Sequence, residues 1–259
     1  MTRDESSMLG KVAVLLGAFT AGSPLSLAEL GRRTGLARST VHRLVTDLAD
    51  HGWVRRVGNR YELGMALFEL GELVPVKHRL RTVALPFMQD LHAATGETVH
   101  LAVRDGTDAV YAEKLYGHRP LPLPSRTGGR APLTCTAVGK ALLAHETPEV
   151  VRDVLGRPLR RWTAASVTDP RVLNRQLDEI RRTGLAQERE EAAPGSACVA
   201  TPVLVGGRPV AALSVAVPVG DFAPERLGPA VLTAALGLAR ALAATRTEGN
   251  EAEGSEGSD

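Results

Sequence analysis

Val41, Leu44, Val45 and Leu48 fall three or four residues apart, so a helix drawn through them carries one apolar sector. Opposite that sector lie Ser39, His42, Arg43, Thr46 and Asp50, with Thr40 and Asp47 at its edge. Upstream, GKVAVLLGAF (10–19) has the spacing of a buried helix. Ser26-Leu27-Ala28-Glu29 reads as a capping box: the hydroxyl accepts from the Glu29 amide while the carboxylate reaches back. Leu27, Leu30 and Leu36 supply that helix with apolar contacts, and Gly35 stops it where left-handed backbone costs least. Two short helices joined by a tight glycine turn form a helix-turn-helix. WVRRVGNRYELG (53–64) follows as two short strands around Gly58-Asn59, a hairpin placed where a wing would be.

From Met65 to Gly96 the period is helical again, and Pro75 and Pro86 interrupt it. That predicts a linker helix over 65–80, then a helix that opens a second domain. Beyond Gly96 the pattern is that of strands. ETVHLAVRDGTDAVYAEKL reads as strand, Asp-Gly turn, strand, and CVATPVLVGGRPVAALSVAVP (198–218) as two β-rich runs around Gly206-Gly207. Helices are predicted near 137–145, 147–155, 171–183 and 224–245. Strand pairs interleaved with helices give an α+β class with a mainly antiparallel sheet. No internal repeat is present.

Composition changes this picture in three places. Aromatic residues are only 3% of the 259, so the core rests on Leu, Val and Ala. Residues 1–60 carry nine Lys/Arg against five Asp/Glu, while the rest carry 22 against 24, which points the N-terminal unit at an anionic partner. EGNEAEGSEGSD, the last twelve residues, holds five acids and no apolar period, so residues 247–259 are expected to be disordered. No apolar run of bilayer-spanning length stands out, and MTRDESSMLGK lacks the character of a signal peptide, so the expected location is the cytoplasm with no membrane partner. There Cys135 and Cys198 are expected as reduced thiols.

The polar side of the helix within residues 35–53 differs from an ordinary solvated face. It is built of short hydroxyls with Arg and His, without Glu or Lys. A capped helix and tight turn precede it, and a hairpin bearing Arg55, Arg56 and Arg60 follows. In a winged helix-turn-helix the second helix enters the major groove, where Arg43 could donate bidentately to guanine, and the wing is placed for phosphate or minor-groove contact.

Elsewhere the candidate chemistry is thin. GGRAPLTCTAVGK resembles a phosphate loop, but Thr134 and Ala141 stand where a Walker motif needs Gly and Ser/Thr. What remains is a loop entering a helix near Ala137, whose first amides could receive a carboxylate, or a connection merely shaped by Gly and Pro. Glu190 and Glu191 sit beside Glu188 and ahead of Cys198; paired acids can do acid/base work, and a cysteine can be a nucleophile. No His or Asn completes such a site, and a structural thiol is favoured for Cys198. His92, His100, His118 and His145 show no ligand spacing, so no metal or other cofactor is expected. An enzyme built on Glu190, Glu191 and Cys198 and a protein-binding N-terminal module are the other classes that this inventory leaves open.

Residues 8–71, through LSLAELGRRTGLARSTVHRLVTDLADHGWVRRVGNRYELG, resemble the DNA-binding domain of the isocitrate-lyase-regulator (IclR) family of bacterial transcription factors. GGRAPLTCTAVGKALLA (128–144), RRTGLAQEREEAAPGSACVATPV (181–203) and VAALSVAVP (210–218) extend the likeness to about residue 243. The resemblance implies a winged helix-turn-helix domain (1–64), a linker helix (65–80) and a GAF-like effector-binding domain (81–246). It also implies a homodimer or homotetramer on double-stranded DNA, and by two-fold symmetry a pseudo-palindromic operator. Arg38, Ser39, Thr40, His42, Arg43 and Thr46 then belong to the recognition helix, and Arg55, Arg56 and Arg60 to the wing. A small-molecule effector, an organic acid or aromatic metabolite, would sit among Ala137, Val138, Glu188, Cys198 and Ser214. The function so implied is repression of a metabolic or catabolic operon, with activation as the alternative. Family members that bind small acids carry Asp at the place of Glu188, and Ser can stand at that of Ala216. Pro-Leu-His-Ala is common where this chain has Pro132-Leu133-Thr134-Cys135.

Overall fold

Among the described residues are nine α-helices and eight strands, and the chain divides into two units between His78 and Arg79. The computed structural model describes residues 7–19 and 23–255, with side chains for all of these except 75–79 and 246–255.

In the first unit, α1 (Met8–Gly17), α2 (Leu27–Thr34) and α3 (Arg38–Asp50) precede an antiparallel pair, β1 (Val54–Val57) and β2 (Arg60–Leu63). The capping box forms: Ser26 N donates to Glu29 Oε2 at 2.8 Å and Glu29 N to Ser26 Oγ at 3.3 Å. Gly35 ends α2 at φ +70°, backbone that a Cβ would strain. Val41, Leu44, Val45 and Leu48 are all buried, together with Leu15, Leu30 and Val54. Only Leu15 of α1 is buried, while Met8 and Leu9 are exposed, so this helix is half-covered where the sequence suggested full burial. The physical reason is that one α2–α3 pair offers α1 a single seam to pack against.

The expected linker helix over 65–80 is not continuous. It divides into α4 (Met65–Glu72) and the start of α5 (Pro75–Thr95). Pro75 begins α5, where a missing N–H costs nothing. Pro86, expected as a break, lies inside α5. Ala84, Met88 and Leu91 bury one side of the helix on the sheet and hold it together across the lost hydrogen bond.

The second unit is a six-stranded antiparallel sheet of order β5-β4-β3-β8-β7-β6. Its strands are β3 (Thr98–Asp105), β4 (Asp108–Leu115), β5 (Arg130–Pro132), β6 (Ala186–Arg189), β7 (Ser196–Val205) and β8 (Arg208–Pro218). The short edge strands β5 and β6 were not anticipated. Helices α6 (Ala137–Ala144), α7 (Pro148–Leu155) and α8 (Pro170–Thr183) build a core against one face, while α5 and α9 (Pro224–Ser255) cover the other. Side chains alternate along each strand. In β8, Leu213, Val215 and Val217 fill the α5–α9 core, whereas Ala212, Ser214 and Ala216 leave the α6 side shallow.

Two expectations about α9 change. Its Pro224–Thr245 portion is 22 residues long with mean hydropathy 1.6, which meets the length and composition of a membrane span. Leu227, Val231, Ala235 and Leu238 account for that apolarity by packing on the sheet. The helix also continues to Ser255, through most of the tail expected to be disordered. Residues 256–259 lie outside the described residues.

Candidate functional site

In the first unit, α3 turns Arg38, Ser39, His42, Arg43 and Thr46 to the surface, with Thr40 half-buried at the edge. Arg38 and Arg43 form no hydrogen bond or ion pair among the described residues, so both guanidiniums are available to an outside partner. Thr46 is less free, since its hydroxyl donates to the His42 carbonyl at 3.0 Å. The wing arginines are all engaged. Arg55 pairs with Glu62 across the hairpin, and Arg56 donates to the Gly58 carbonyl at 2.9 Å. Arg60 points back, donating to Pro24 O at 2.9 Å and pairing with Glu29 Oε2 at 3.2 Å. Ser26 hydrogen bonds above all, helped by the Arg60 charge, hold the Glu29 carboxyl down at about 2. Leu25 and Tyr61 add a backbone bridge between the wing and the segment before α2. Arg60 is thus a fastening inside the unit, which sequence reasoning did not anticipate because its partners lie 31 and 36 residues away.

In the second unit a cavity open to solvent lies on the α6 side of the sheet. Ala137, Val138, Glu188, Cys198 and Ser214 all line it. The sheet explains why. Glu188 faces Cys198 across β6–β7, Cys198 faces Ala216 on β8, and Ser214 faces His100 on β3. Strand axes lie about 4.8 Å apart, so β6 and β3 stand roughly 14 Å from one another across a floor of small side chains.

The two ends of that floor differ electrostatically. At one end Glu188 is buried; its Oε2 accepts from Glu191 N at 2.9 Å, and the Cys198 thiol bonds to the carboxyl. Burial outweighs those bonds and raises the Glu188 carboxyl to about 7. Burial, then the nearby Glu188, pushes the Cys198 thiol well up, which argues against a thiolate nucleophile there. Cys135 is likewise raised to about 12 by burial and by Glu191 and Glu188. At the other end His100 bonds Ser125 Oγ through Nε2 at 2.8 Å and Ser214 Oγ through Nδ1 at 3.4 Å. Burial, with Lys114 nearby, lowers its imidazole to about 3 and keeps it neutral. Lys114 Nζ donates to Ser125 O at 2.8 Å and so ties the 116–129 connection over the cavity.

Above the floor stands the N-terminus of α6. Thr136 caps it, its hydroxyl accepting from Gly139 N at 3.1 Å. The amides of Ala137 and Val138 have no acceptor among the described residues. Two open amides at a positive helix end suit an anion. A Cβ at Gly139 would lie 2.5 Å from Leu133 Cα and 2.6 Å from Leu133 O, so only glycine lets this turn close on the 133–136 segment.

Lys140 is fully buried and ion-paired with Glu191 at 2.5 Å. Glu191 also connects to a loop ahead of α8: Ser166 Oγ donates to its carbonyl at 2.8 Å, and Thr163 Oγ1 donates to Glu190 O at 2.6 Å. Glu190 takes a left-handed φ of +56° to make this turn. His100, Tyr111, Ser125 and Trp162 also line the cavity, and sequence reasoning missed them as lining residues. Among the described residues no group of three or more His, Cys, Asp or Glu could hold a metal.

Two family models match the chain. One, described as bacterial transcriptional regulator IclR C-terminal, matches residues 74–245, and the other, the IclR helix-turn-helix domain, residues 9–58. The HTH-type transcriptional regulator KdgR of Escherichia coli (strain K12) is 34% identical over 228 residues, covering 86% of this chain and 87% of that protein. The acetate operon repressor of Salmonella typhimurium is 32% identical, covering 86% and 84%. Among solved structures, an IclR homolog of Microbacterium hydrocarbonoxydans complexed with 4-hydroxybenzoate superposes with a TM-score of 0.82 at 33% identity, over 92% of this chain and all of that one. The Thermotoga maritima IclR structure gives 0.74 at 30% identity, over 91% of this chain and 98% of that one.

Proposed function

The chain belongs to the IclR family of bacterial transcriptional regulators, and on that premise we propose that it is a cytoplasmic repressor of a catabolic or metabolic operon that responds to an aromatic carboxylic acid. It is a DNA-binding regulator with an effector-binding domain, not an enzyme. Arg38, Ser39, Thr40, His42, Arg43 and Thr46 enter the major groove, with Arg43 reading a base pair. Arg55 and Arg56 reach phosphates, while Arg60 holds the wing in place. The free guanidiniums of Arg38 and Arg43, beside the short hydroxyls of Ser39 and Thr46 on the exposed side of α3, support this assignment.

The effector's carboxylate meets the Ala137 and Val138 amides, and its ring lies over Ser214 and Cys198. The observation that carries this is the cavity itself: open amides at one wall, an apolar slot, and hydrogen-bonding groups at both ends. The 4-hydroxybenzoate complex of the Microbacterium homolog supports an aromatic acid of that size. Exposed Met8 and Leu9 on α1 and Met65, Phe68 and Leu73 around α4 are large apolar groups that a second copy of the chain would cover, in keeping with a dimer or tetramer on a pseudo-palindromic operator. The effector acts by binding one disposition of the DNA-binding units better than another.

Mobility shifts on the gene's own upstream region test the whole reading. Binding should weaken steeply with salt, as phosphate contacts require, and 4-hydroxybenzoate should change the affinity. Retardation insensitive to salt and to every aromatic acid would refute it.

A further inference from the structure

Trp162 is one of two tryptophans in the chain and lies 42% exposed at the cavity, with Tyr111, Leu123 and Pro124 also lining it. The backbone that carries this indole is held in place by a buried side chain. The Trp162 backbone N–H donates to Ser166 Oγ at 3.0 Å, and the next amide, Thr163, donates to the same oxygen at 2.8 Å. Ser166 is buried and passes the connection on to Glu191 O. The guanidinium of Arg160 sits 4.8 Å from the indole centroid and leaves the ring less room to swing.

We propose that Trp162 is the face against which the effector's aromatic ring stacks, and that the loop carrying it conveys ring occupancy to the Glu190–Glu191 turn and to α6. This rests on the aromatic-acid reading above and adds the residue that makes the site prefer a ring to an aliphatic acid. The transmission path is continuous in hydrogen bonds. Trp162 and Thr163 hold Ser166 and Glu190, Glu191 N holds the Glu188 carboxyl on the cavity floor, and the Glu191 carboxylate holds Lys140 in α6. A ligand with a carboxylate but no π face fills the amide end and leaves Trp162 untouched. A planar acid engages both, so the indole and the α6 N-terminus are drawn to one object.

Titration calorimetry on the full chain tests this with 4-hydroxybenzoate and its saturated counterpart, 4-hydroxycyclohexanecarboxylate. An aromatic pair contributes about 0.5–1.5 kcal/mol beyond area burial, which converts to roughly 2- to 10-fold in affinity. Trp162→Leu should therefore weaken 4-hydroxybenzoate by up to about 10-fold and leave the cyclohexane acid within about 2-fold, and Trp162→Phe should restore most of the loss. Amide exchange over residues 188–196 should slow when wild type is saturated with 4-hydroxybenzoate, and slow less in Trp162→Leu at equal saturation. Equal losses for both acids, or no loss for either, overturn the stacking. Equal protection in both proteins overturns the transmission. If wild type binds neither acid, the aromatic-acid reading itself falls, and this inference with it.

Discussion

Glu188→Gln keeps the acceptor for the Glu191 amide and a polar contact for Cys198 while removing the titrating proton. In the folded protein burial holds the Glu188 carboxyl near 7, against 4.5 when it is free. A folded-state value above the unfolded one means that the native protein takes up the proton more readily. The stabilising contribution is then complete below pH 4.5 and lost as the pH rises through 7. Integrating the two titration curves between about pH 5 and about pH 8 gives a loss of about 2.5 kcal/mol from this single group, to order of magnitude. His100 has the opposite slope, its native value of about 3 lying below the free imidazole's 6.5. It is present in both proteins and cancels in their difference. The measurement is urea unfolding of wild type and Glu188→Gln at constant ionic strength, both in a Trp53→Phe background so that Trp162 reports the second unit. The stability of wild type relative to the variant should fall steadily across that pH range. A difference that stays constant from pH 5 to pH 8 would show that Glu188 is ionised throughout, and the burial argument would be wrong.

Arg43→Ala should cost about 1–3 kcal/mol on the specific operator and relax sequence preference, which a footprint compared with a selection from random DNA would reveal. Arg56→Ala should weaken binding to any duplex and flatten the salt slope, and a change in base preference alone would contradict the phosphate assignment. Lys140→Met strands Glu191 in the interior and should cost about 3–5 kcal/mol, while Lys140→Met combined with Glu191→Met should recover most of it in the same denaturation assay. Gly139→Ala pushes a methyl into the Leu133 backbone; a melting temperature equal to wild type would contradict the close approach.

The helix-turn-helix was legible because its determinants are local. Ser26, Glu29 and Gly35 set the ends of α2, and the 41-44-45-48 spacing sets the buried side of α3, all within a few residues of one another. The strand pairs around Gly106 and Gly206-Gly207 were legible for the same reason. What escaped depends on pairing over distance. Lys140 reads as an ordinary helical lysine until Glu191 arrives 51 residues later. His100 and Ser125 become neighbours only when β3 and the 116–129 connection close on each other, and nothing near Trp162 in the chain announces a cavity wall. Pro86 misled because tertiary packing outweighed a local rule. A clue to the pocket was nonetheless present in VAALSVAVP: small residues at 212, 214 and 216 against large ones at 213, 215 and 217 mark one shallow side of a buried strand.

The Arg60 clasp bears on how an operator can be read. Arg60 fastens the wing to Pro24 O and to the Glu29 carboxylate that caps α2, and the Leu25–Tyr61 bridge closes the same seam. The wing is thereby tied to α2, the helix that packs on α3, so a change in the distance between groove contact and phosphate contact would work against these bonds. If α3 and the wing dock as proposed, tolerance for variant operators would come from bending of the DNA or from the spacing between two such units, and cutting the clasp would loosen the wing.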